Sequence, residues 1–291
     1  LTIYDSFPPR IFRLFYLRDK FDVEIAFIEG YATRIVSGGG SLKKIAWVHI
    51  DLILNPWTDI AFRSRKGQAK CYSAFDEVVS VSESVKMSVE KLFPCKSTVV
   101  YNPIDADGIR RMSVQTTVER EKEPLLFVSA GRLVPQKGYD RLIPIAGKLA
   151  AEGFDFRLWI IGDGTERESL EKQIKEWNLK DIVTLLGYQD NPYPYMAAGD
   201  IFVCSSRSEG YSTVVTEALI LDLPVITTLC AGMQELLDNG RYGIIVENED
   251  SALLDGMKYL LKNRDMVGKA KDRNSFSLKR QMNEVYNVID K

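Results

Sequence analysis

The sequence contains few of the side chains that bind metal ions or form disulfide bridges. Its 291 residues include one histidine, His49, and four cysteines, which lie far apart at positions 71, 95, 204 and 230 without a C-x-x-C pair. This spacing argues against the usual zinc sites and against a disulfide framework. Cys204 ends the apolar run Ile-Phe-Val-Cys and is interpreted as a small core residue. We therefore expect a reducing, cytoplasmic setting.

Long hydrophobic runs and a strong net charge are also lacking. No stretch approaches the roughly 18–20 apolar residues that span a bilayer, and the first residues do not read as a signal peptide. The formal net charge of −2 gives no electrostatic case for nucleic acid as a partner. Residues 1–111 carry 16 Lys+Arg against 13 Asp+Glu, and residues 112–291 carry 22 against 27. The basic first part fits a peripheral contact with an anionic membrane surface, or an acidic acceptor, or a random scatter of charge.

The second half of the chain alternates short apolar runs with helical patterns. Continuous apolar runs are typical of strands buried on both faces, and hence of a parallel sheet between helices. We predict a complete doubly wound α/β domain. Its six predicted strands are 125–130, 156–161, 182–186, 200–205, 224–227 and 243–246, and its clearest helical patterns are 140–151, 165–177, 213–221 and 251–262.

The first half shows the same alternation with fewer elements. Four strands are predicted at 23–28, 44–48, 77–81 and 97–101, with helical patterns at about 58–73 and 83–93. The polar segment 113–123 is predicted to be an inter-domain linker. The expected domains are therefore a truncated N-terminal domain at 1–115 and a second domain at 116–274. The stripe at 275–291 predicts a helix that packs back on the first domain.

A cationic loop directly follows the strand predicted at 125–130. Gly131 and Gly138 permit tight turns and close approach of a ligand. Arg132 and Lys137 between them offer a planar fork of donors and a mobile point charge, which suit a diphosphate. Ligands bind beyond the carboxyl ends of the strands in such a sheet. Two solvated loop cations would give the same pattern.

A second polar segment, 208–219, runs from the predicted strand 200–205 into a helix. Gly210 and Ser212 suit a turn and an N-cap, so backbone N–H groups at Ser212–Val214 would form an anion site. Glu209 lies in the loop, and Glu217 lies about one turn inside the helix. Either carboxylate alone is also consistent with a simple partner of the helix dipole, but hydroxyl-rich sugars need acceptors of this kind.

Glu209 and Glu217 reproduce the E-x7-E pattern of the retaining glycosyltransferases of family 4. The chain also resembles this family in Gly-Arg-x4-Lys-Gly at 131–138, in Ile-Ile-Gly-Asp-Gly-Thr-Glu at 160–166 and in the segment 231–243. The resemblance covers nearly all of residues 125–262. Segments 47–51, 79–82 and 101–105 are similar to strand ends of the family's first domain. The resemblance implies the GT-B fold, in which two Rossmann-like domains face each other across a cleft.

The resemblance also implies roles for individual residues. Arg132 and Lys137 would neutralise the departing diphosphate, Glu209 would bind sugar hydroxyls, and His49 would reach the donor sugar. His49 directly after an apolar strand is also consistent with a satisfied core histidine. The implied donor-binding residues are Gly131, Gly162, Tyr188 (towards the base), Gly210, Tyr211, Ser212, Thr213, Val214 and Glu217, the last towards the ribose.

The implied chemistry is transfer of a hexose-type sugar from a UDP- or GDP-sugar with retention at the anomeric carbon. The family uses a front-face mechanism, in which the departing phosphate helps to deprotonate the acceptor. Neither a metal ion nor another cofactor is expected beside the nucleotide sugar. By analogy with the family, the acceptor would be a glycan or lipid-linked molecule in bacterial cell-surface polysaccharide biosynthesis, at the inner face of the membrane.

Alternatives remain at this stage. Arg167 occupies the position where a dinucleotide fingerprint starting at Gly162 needs a third small residue, which argues against a nicotinamide dehydrogenase. A sugar-nucleotide epimerase would need more acid/base groups than one histidine provides. No glycine-rich turn precedes the strand at 23–28, although the family's first domain usually opens with one. A nucleotide-sugar-binding subunit without catalysis would also combine donor motifs with an incomplete first domain.

Overall fold

The computed structural model describes residues 7–19, 21–62, 64–120, 123–263 and 277–290. The chain divides into two compact units. The first unit takes in the described residues of Leu1–Pro103, Ser208–Tyr211 and Lys279–Lys291, and the second takes in those of Ile104–Arg207 and Ser212–Leu278. The division between residues 103 and 104 lies about a dozen residues ahead of the boundary expected from the sequence.

The second unit contains the predicted six-stranded parallel sheet. Its strand order is β10-β9-β8-β5-β6-β7. Each strand begins and ends within one residue of its predicted bounds. The strands are β5 (Leu125–Ala130), β6 (Phe156–Ile161), β7 (Val183–Gly187), β8 (Ile201–Cys204), β9 (Val225–Thr228) and β10 (Gly243–Val246).

Seven α-helices in the described part of the second unit connect or flank these strands. All six residues of β5 are buried, because the strand lies inside the sheet with helices over its faces. Side chains such as Phe127, Leu142 and Leu158 form one core, and burial of each stabilises the fold by roughly 1.5–3 kcal/mol. The helices are α5 (Ala106–Ser113), α6 (Tyr139–Ala151), α7 (Arg167–Glu176), α8 (Tyr193–Ala197), α9 (Thr213–Ile220), α10 (Met233–Leu236) and α11 (Asp250–Lys262).

Helix α5 explains where the two units divide. Its first turn is capped by the side chain of Asp105, which accepts a hydrogen bond from the backbone N–H of Gly108 (2.9 Å). The helix packs against α8 and α9, so it belongs to the second unit. Ser113, expected at the start of the linker, is the last residue of α5. Residues 114–120 and 123 have neither helical nor strand structure, and residues 121 and 122 lie outside the described ranges.

The first unit is built on a smaller parallel sheet with the order β1-β2-β3-β4. Two strands are shorter than predicted by more than one residue: β1 ends at Ala26, ahead of the exposed Phe27 and Ile28, and β4 is a two-residue strand. Helices α1 and α2 were not predicted. The elements are β1 (Val23–Ala26), β2 (Lys43–Val48), β3 (Glu77–Ser80), β4 (Thr98–Val99), α1 (Pro9–Arg13), α2 (Tyr31–Ser37), α3 (Arg65–Tyr72) and α4 (Glu83–Leu92).

The C-terminal helix α12 (Leu278–Asp290) forms part of the first unit. The ammonium group of Lys43, at the start of β2, donates hydrogen bonds to the carbonyl oxygens of Val288 (2.5 Å) and Ile289 (3.0 Å). A cation at the last carbonyls of a helix also interacts favourably with the helix dipole. Residues 275 and 276 of the predicted stripe lie outside the described ranges. Of the helices that the structure describes, none is both long and apolar enough to cross a bilayer.

Candidate active site

The strand order of the second unit reverses between β5 and β8. From β5 the chain proceeds outwards through β6 and β7, whereas from β8 it proceeds in the opposite direction through β9 and β10. The crevice beyond the carboxyl ends of two such strands is the usual ligand site of a doubly wound sheet. The loop after β5 carries Gly131, Arg132 and Lys137, and the loop after β8 leads to Ser212 at the start of α9. The topology therefore brings both predicted motifs to the same edge of the sheet.

Two glycine turns lie against each other at this edge. The backbone N–H of Gly131 donates to the carbonyl of Ile161 (2.9 Å), and that of Gly162 donates to the carbonyl of Gly187 (2.8 Å). Gly131 and Gly162 have φ angles of 152° and 134°, which L side chains rarely adopt. A Cβ atom at Gly162 would overlap the carbonyl oxygen of Gly131. In this structure Gly162 therefore permits two loops to pack.

The two predicted cations differ in how firmly they are held. Arg132 is exposed. Lys137 ends a 3₁₀ turn (Pro135–Lys137), and its carbonyl oxygen accepts a hydrogen bond from the hydroxyl of Ser205 (3.0 Å). The aliphatic part of the Lys137 side chain lies beside Gly131, where an added Cβ would be 3.5 Å from its Cε. Burial raises the pKa of Glu217, and the positive charge of Lys137 partly opposes this rise, so Lys137 acts electrostatically on a residue of the crevice.

The start of α9 carries an unpaired buried hydroxyl. Ser212 is the N-cap residue, but its Oγ is buried and forms no hydrogen bond with any residue in the described ranges. Its carbonyl oxygen accepts from the backbone N–H (3.1 Å) and the hydroxyl (2.9 Å) of Thr216. The first N–H groups of a helix have no intrahelical partner and favour an anion. A phosphate group here would supply the acceptor that the hydroxyl of Ser212 and these N–H groups need.

Glu217 lies about one turn inside α9 and is half-buried. Burial raises its pKa to about 7, against the opposing effects of a hydrogen bond from Tyr193 and the charge of Lys137. The Tyr193 hydroxyl lies 3.3 Å from Oε1 of Glu217. Burial and the nearby Glu217 carboxylate in turn raise the pKa of Tyr193 to about 12. A carboxyl group with such a pKa is partly protonated near neutral pH. A higher pH, or a ligand that interacts with the carboxylate, favours its ionised form.

The other predicted donor-binding residues of the second unit lie at the same edge of the sheet. Tyr188 directly follows β7, and its side chain is 73% exposed. Thr213 and Val214 form the first turn of α9, where Thr213 is exposed and Val214 is half-buried. A large exposed aromatic ring at the carboxyl end of a strand provides a flat surface for stacking.

Four predicted residues, His49, Glu209, Gly210 and Tyr211, belong to the first unit. Glu209 is buried, with 7% of its surface exposed. The carbonyl oxygen of Gly210 accepts a hydrogen bond from the hydroxyl of Ser82 (3.0 Å). The ring of Tyr211 lies 5.2 Å from that of Tyr101.

His49 follows β2 and keeps one ring nitrogen unsatisfied. Its backbone N–H donates to the carboxylate of Glu29, which also accepts from the N–H of Ile50 (3.0 Å). The imidazole packs edge-on against Phe27, with 4.8 Å between ring centroids. Nε2 is buried and has no hydrogen-bond partner among the described residues. Burial lowers the pKa of the imidazole, so His49 is neutral near pH 7.

Three polar residues hold these side chains and were not predicted from the sequence. They are Tyr193, which contacts Glu217, Glu29, which fixes the backbone at His49, and Ser82, which binds Gly210. Only Ser82 gave a signal, as the last residue of a strand-end segment and the N-cap of α4. Groups of three or more His, Cys, Asp or Glu side chains arranged to hold a metal ion do not occur in the described part of the chain.

Comparison with known sequences assigns the family. Residues 114–277 match the family described as glycosyl transferases group 1, which is more than half of the chain. The chain belongs to this family. It is 33% identical over 179 residues to the N-acetylgalactosamine-N,N'-diacetylbacillosaminyl-diphospho-undecaprenol 4-alpha-N-acetylgalactosaminyltransferase of Campylobacter jejuni, with 61% of this chain and 47% of that protein covered.

Other comparisons give the same family and the fold. A lipopolysaccharide core biosynthesis glycosyltransferase of Rhizobium meliloti is 34% identical over 126 residues, which cover 43% of this chain and 36% of that protein. The chain thus spans less than half the length of these two glycosyl transferases. The structure of Anabaena HepE with UDP and glucose superposes with a TM-score of 0.74 at 18% identity, over 93% of this chain and 78% of that one. The architecture is therefore the GT-B fold of glycosyltransferases, with two parallel α/β sheets.

Proposed function

We propose that this protein transfers a hexose-type sugar, with retention, from a UDP- or GDP-sugar to a glycan or glycolipid acceptor. The observation that carries the proposal is the convergence of a cationic loop and a helix start at the switch point between β5 and β8. Lys137 and the buried, unpaired hydroxyl of Ser212 belong to these two elements. Both have the chemistry of a diphosphate site.

Most of the predicted polar and charged residues have a role in this reaction. Arg132, Lys137 and the N–H groups of Ser212–Val214 stabilise the charge that develops on the leaving diphosphate, an effect that grows in the transition state. Glu217 binds the ribose hydroxyls, and the exposed ring of Tyr188 stacks on the base. Glu209 and the unpaired Nε2 of His49 bind hydroxyl groups of the donor sugar.

The proposed front-face step balances without a nucleophile from the enzyme. The bond between the anomeric carbon and the diphosphate oxygen breaks, and the acceptor oxygen bonds to the same face of that carbon. The acceptor proton passes to a phosphate oxygen of the departing nucleoside diphosphate. Arg132, Lys137 and the dipole of α9 supply the positive charge, and no metal ion takes part.

The biological setting is a further part of the proposal. The relatives from Campylobacter jejuni and Rhizobium meliloti are named for a diphospho-undecaprenol acceptor and for lipopolysaccharide core biosynthesis. Their chemistry supports an acceptor of the cell-surface glycan or lipid-linked class. An enzyme acting on such an acceptor would work in the cytoplasm, in peripheral contact with the inner face of the membrane.

Calorimetric titration with UDP, GDP and their sugars tests the donor site. We expect Arg132→Ala combined with Lys137→Ala to weaken binding by at least about a hundredfold, because two charge-assisted contacts are each worth about 1.5–3 kcal/mol. Arg157→Ala combined with Lys172→Ala is the matched control. It removes two cations of the same unit, from the amino end of β6 and from the exposed surface of α7. Equal affinity of both double variants would contradict the donor site.

Hydrolysis of the bound donor tests catalysis and stereochemistry together. We expect slow hydrolysis without an acceptor, and the sugar first released, observed by proton NMR, should have the anomeric configuration of the donor. Release of the opposite anomer would contradict retention. Binding without hydrolysis, and without transfer to any acceptor of a lipid-linked panel, would instead indicate a nucleotide-sugar-binding subunit.

A further inference from the structure

Tyr193 contacts Glu217, and the reaction proposed above assigns no role to this contact. Its hydroxyl lies 3.3 Å from Oε1 of Glu217, which is longer than the usual O–H···O distance of about 2.5–3.0 Å. Hydrogen bonds in unliganded sites are often long and shorten when the ligand binds. The contact thus directs the carboxyl group while leaving it room to move towards a ligand.

The position of the Tyr193 ring is set by packing against α5 and the C-terminal end of α9, and not by its contact with Glu217. The ring packs against a small apolar cluster between α5 and α9, made of Ala106, Ile109, Ile220, Ile104 and Leu221. The loop ahead of Tyr193 is also tied to α5. The side chain of Asn191 donates to the carbonyl of Met112 (2.9 Å) and accepts from the backbone N–H of Tyr193 (3.3 Å). The Tyr193 hydroxyl is therefore a fixed point relative to which Glu217 is oriented.

The carboxylate of Glu217 needs a hydrogen-bond donor in a fixed position, because few neighbouring groups stabilise its negative charge. The groups that act on it come from two other elements, namely Tyr193 on α8 and Lys137 in the turn after β5. Of these two groups, the Tyr193 hydroxyl is the one that donates a hydrogen bond to a carboxylate oxygen of Glu217. With one acceptor site of Oε1 occupied in this way, Oε2 and the second lone pair of Oε1 can accept hydrogen bonds from a ligand.

We propose that Tyr193 is the positioning residue for Glu217 and orients its carboxylate to accept the ribose hydroxyls of the bound nucleotide. The inference rests on the proposed function, in which Glu217 binds the ribose. Tyr193 itself does not touch the nucleotide. Its effect on affinity passes through Glu217, and so it requires the ribose hydroxyls.

The test compares ribonucleotides with ligands that lack these hydroxyls. Calorimetric titrations at about pH 8 use UDP and GDP, each beside its 2′,3′-dideoxy counterpart. We expect Glu217→Gln to weaken binding of the ribonucleotide about tenfold, and Tyr193→Phe to weaken it about threefold to tenfold, the range expected for one hydrogen bond. Neither variant should change the affinity for the dideoxynucleotide. Tyr193→Phe keeps the ring that packs on α5, so the variant should fold.

The matched control is Tyr195→Phe, which removes the same hydroxyl group from the same helix. It should bind both kinds of nucleotide as the unaltered protein does. Equal weakening of ribonucleotide and dideoxynucleotide binding by Tyr193→Phe would show a merely structural role and overturn the inference. A ribose-dependent loss in Glu217→Gln without one in Tyr193→Phe would overturn the inference and leave the proposed function intact. If Glu217→Gln shows no ribose dependence, the ribose assignment of the proposed function fails as well.

A pH profile provides a second, independent readout. Titration with a UDP- or GDP-sugar is suitable because its diphosphate is esterified at both ends and keeps its charge across this range. Affinity should fall as the pH falls through about 7, where Glu217 takes up a proton. In Tyr193→Phe the midpoint should move to higher pH, because the ionised carboxylate loses a donor. An unmoved midpoint would contradict the positioning role.

Discussion

The carbonyl oxygen of Gly131 fills the space that a Cβ atom at Gly162 would need. The two glycines follow the neighbouring strands β5 and β6, and both have positive φ angles. The path of the cationic loop therefore depends on the absence of a side chain in the next loop. Gly162 is therefore required for the packing of two loops, which is a different role from permitting a ligand to approach the backbone.

Gly162→Ala should destabilise the second unit by about 2–4 kcal/mol, because strained backbone and a steric overlap add together. Gly153→Ala is the matched control, since Gly153 also has a positive φ (86°) but open space within 4 Å of an added Cβ. It should cost only about 1 kcal/mol. Urea denaturation of the two variants measures the difference, and equal costs would show that the overlap relaxes freely.

The fold of the second unit could be predicted because its signal is local. Continuous apolar runs such as 125–130 mark strands buried on both faces, and each such strand was predicted to within one residue. The helices that were missed have weak local signals. Helix α8 has five residues and includes Pro194, and α5 carries Gly108 and charged residues around a narrow apolar stripe. Both are stabilised by packing on each other, which a linear pattern does not contain.

The candidate site, like the fold, was predictable where its signal is local in the sequence. Arg132, Lys137 and Glu217 were found because motif spacing and strand ends bring them to one edge of the sheet. Tyr193 was not found, because its contact with Glu217 joins residues 24 positions apart through the packing of α8 on its neighbours. The close approach of Gly162 to Gly131 likewise depends on two loops from different strands, which the sequence does not relate.

Breaking the buried ion pair between Arg13 and Glu24 should strongly destabilise the first unit. Two nitrogen–oxygen contacts of 2.5 Å and 2.8 Å join the side chains, which are 8% and 5% exposed. Glu24→Gln leaves the buried guanidinium without a counter-charge and should cost about 3–5 kcal/mol. Adding Arg13→Met should recover part of this loss, because the unpaired charge is then removed. Thermal denaturation of the single and double variants measures both effects.

The control for this pair is the exposed pair of Arg65 and Asp59. Its atoms are 2.7 Å apart, but its side chains are 43% and 38% exposed. Asp59→Asn should cost less than about 1 kcal/mol, because water and salt screen exposed charges. Losses of similar size in Glu24→Gln and Asp59→Asn would contradict the view that burial gives the first pair its importance.

Glu217→Gln should stabilise the unliganded protein at alkaline pH, although it weakens nucleotide binding. The folded-state pKa of about 7 is above the ordinary glutamate value of 4.5, so folding favours the protonated form. The contribution of protonated Glu217 to the free energy of unfolding is fully present below the pKa of the unfolded state. It is lost as the pH rises through the folded-state pKa of about 7. At about pH 8 the variant should be more stable by on the order of 2 kcal/mol, and at about pH 4 the difference should vanish.

Thermal denaturation over this pH range measures the effect. Glu168→Gln, at an exposed position on α7, controls for the loss of one carboxylate. The gain should disappear when a saturating nucleotide sugar is present, because the ligand favours the ionised carboxylate. A Glu217→Gln variant that is less stable than the unaltered protein at about pH 8 would show that the carboxylate is satisfied without a ligand.

The unsatisfied Nε2 atom of His49 gives the last prediction. A buried ring nitrogen without a partner costs free energy that a ligand hydroxyl can recover. His49→Ala should lower the transfer or donor hydrolysis rate by about 10²-fold. His49→Gln should restore part of it, because its side-chain amide reaches nearly as far and offers both a donor and an acceptor. Since burial lowers the pKa of the imidazole, the rate due to His49 should begin to fall at a lower pH than an exposed histidine would show.

Two measurements separate this role from packing. Phe27→Leu keeps an apolar neighbour for the imidazole and should change the rate much less than His49→Ala, although it removes the edge-on ring contact. Circular dichroism of each variant should match that of the unaltered protein. If His49→Ala retains the full rate, or if Phe27→Leu lowers it equally, then His49 is a core residue whose loss perturbs the end of β2. The unpaired Nε2 atom would then have no part in binding the donor sugar.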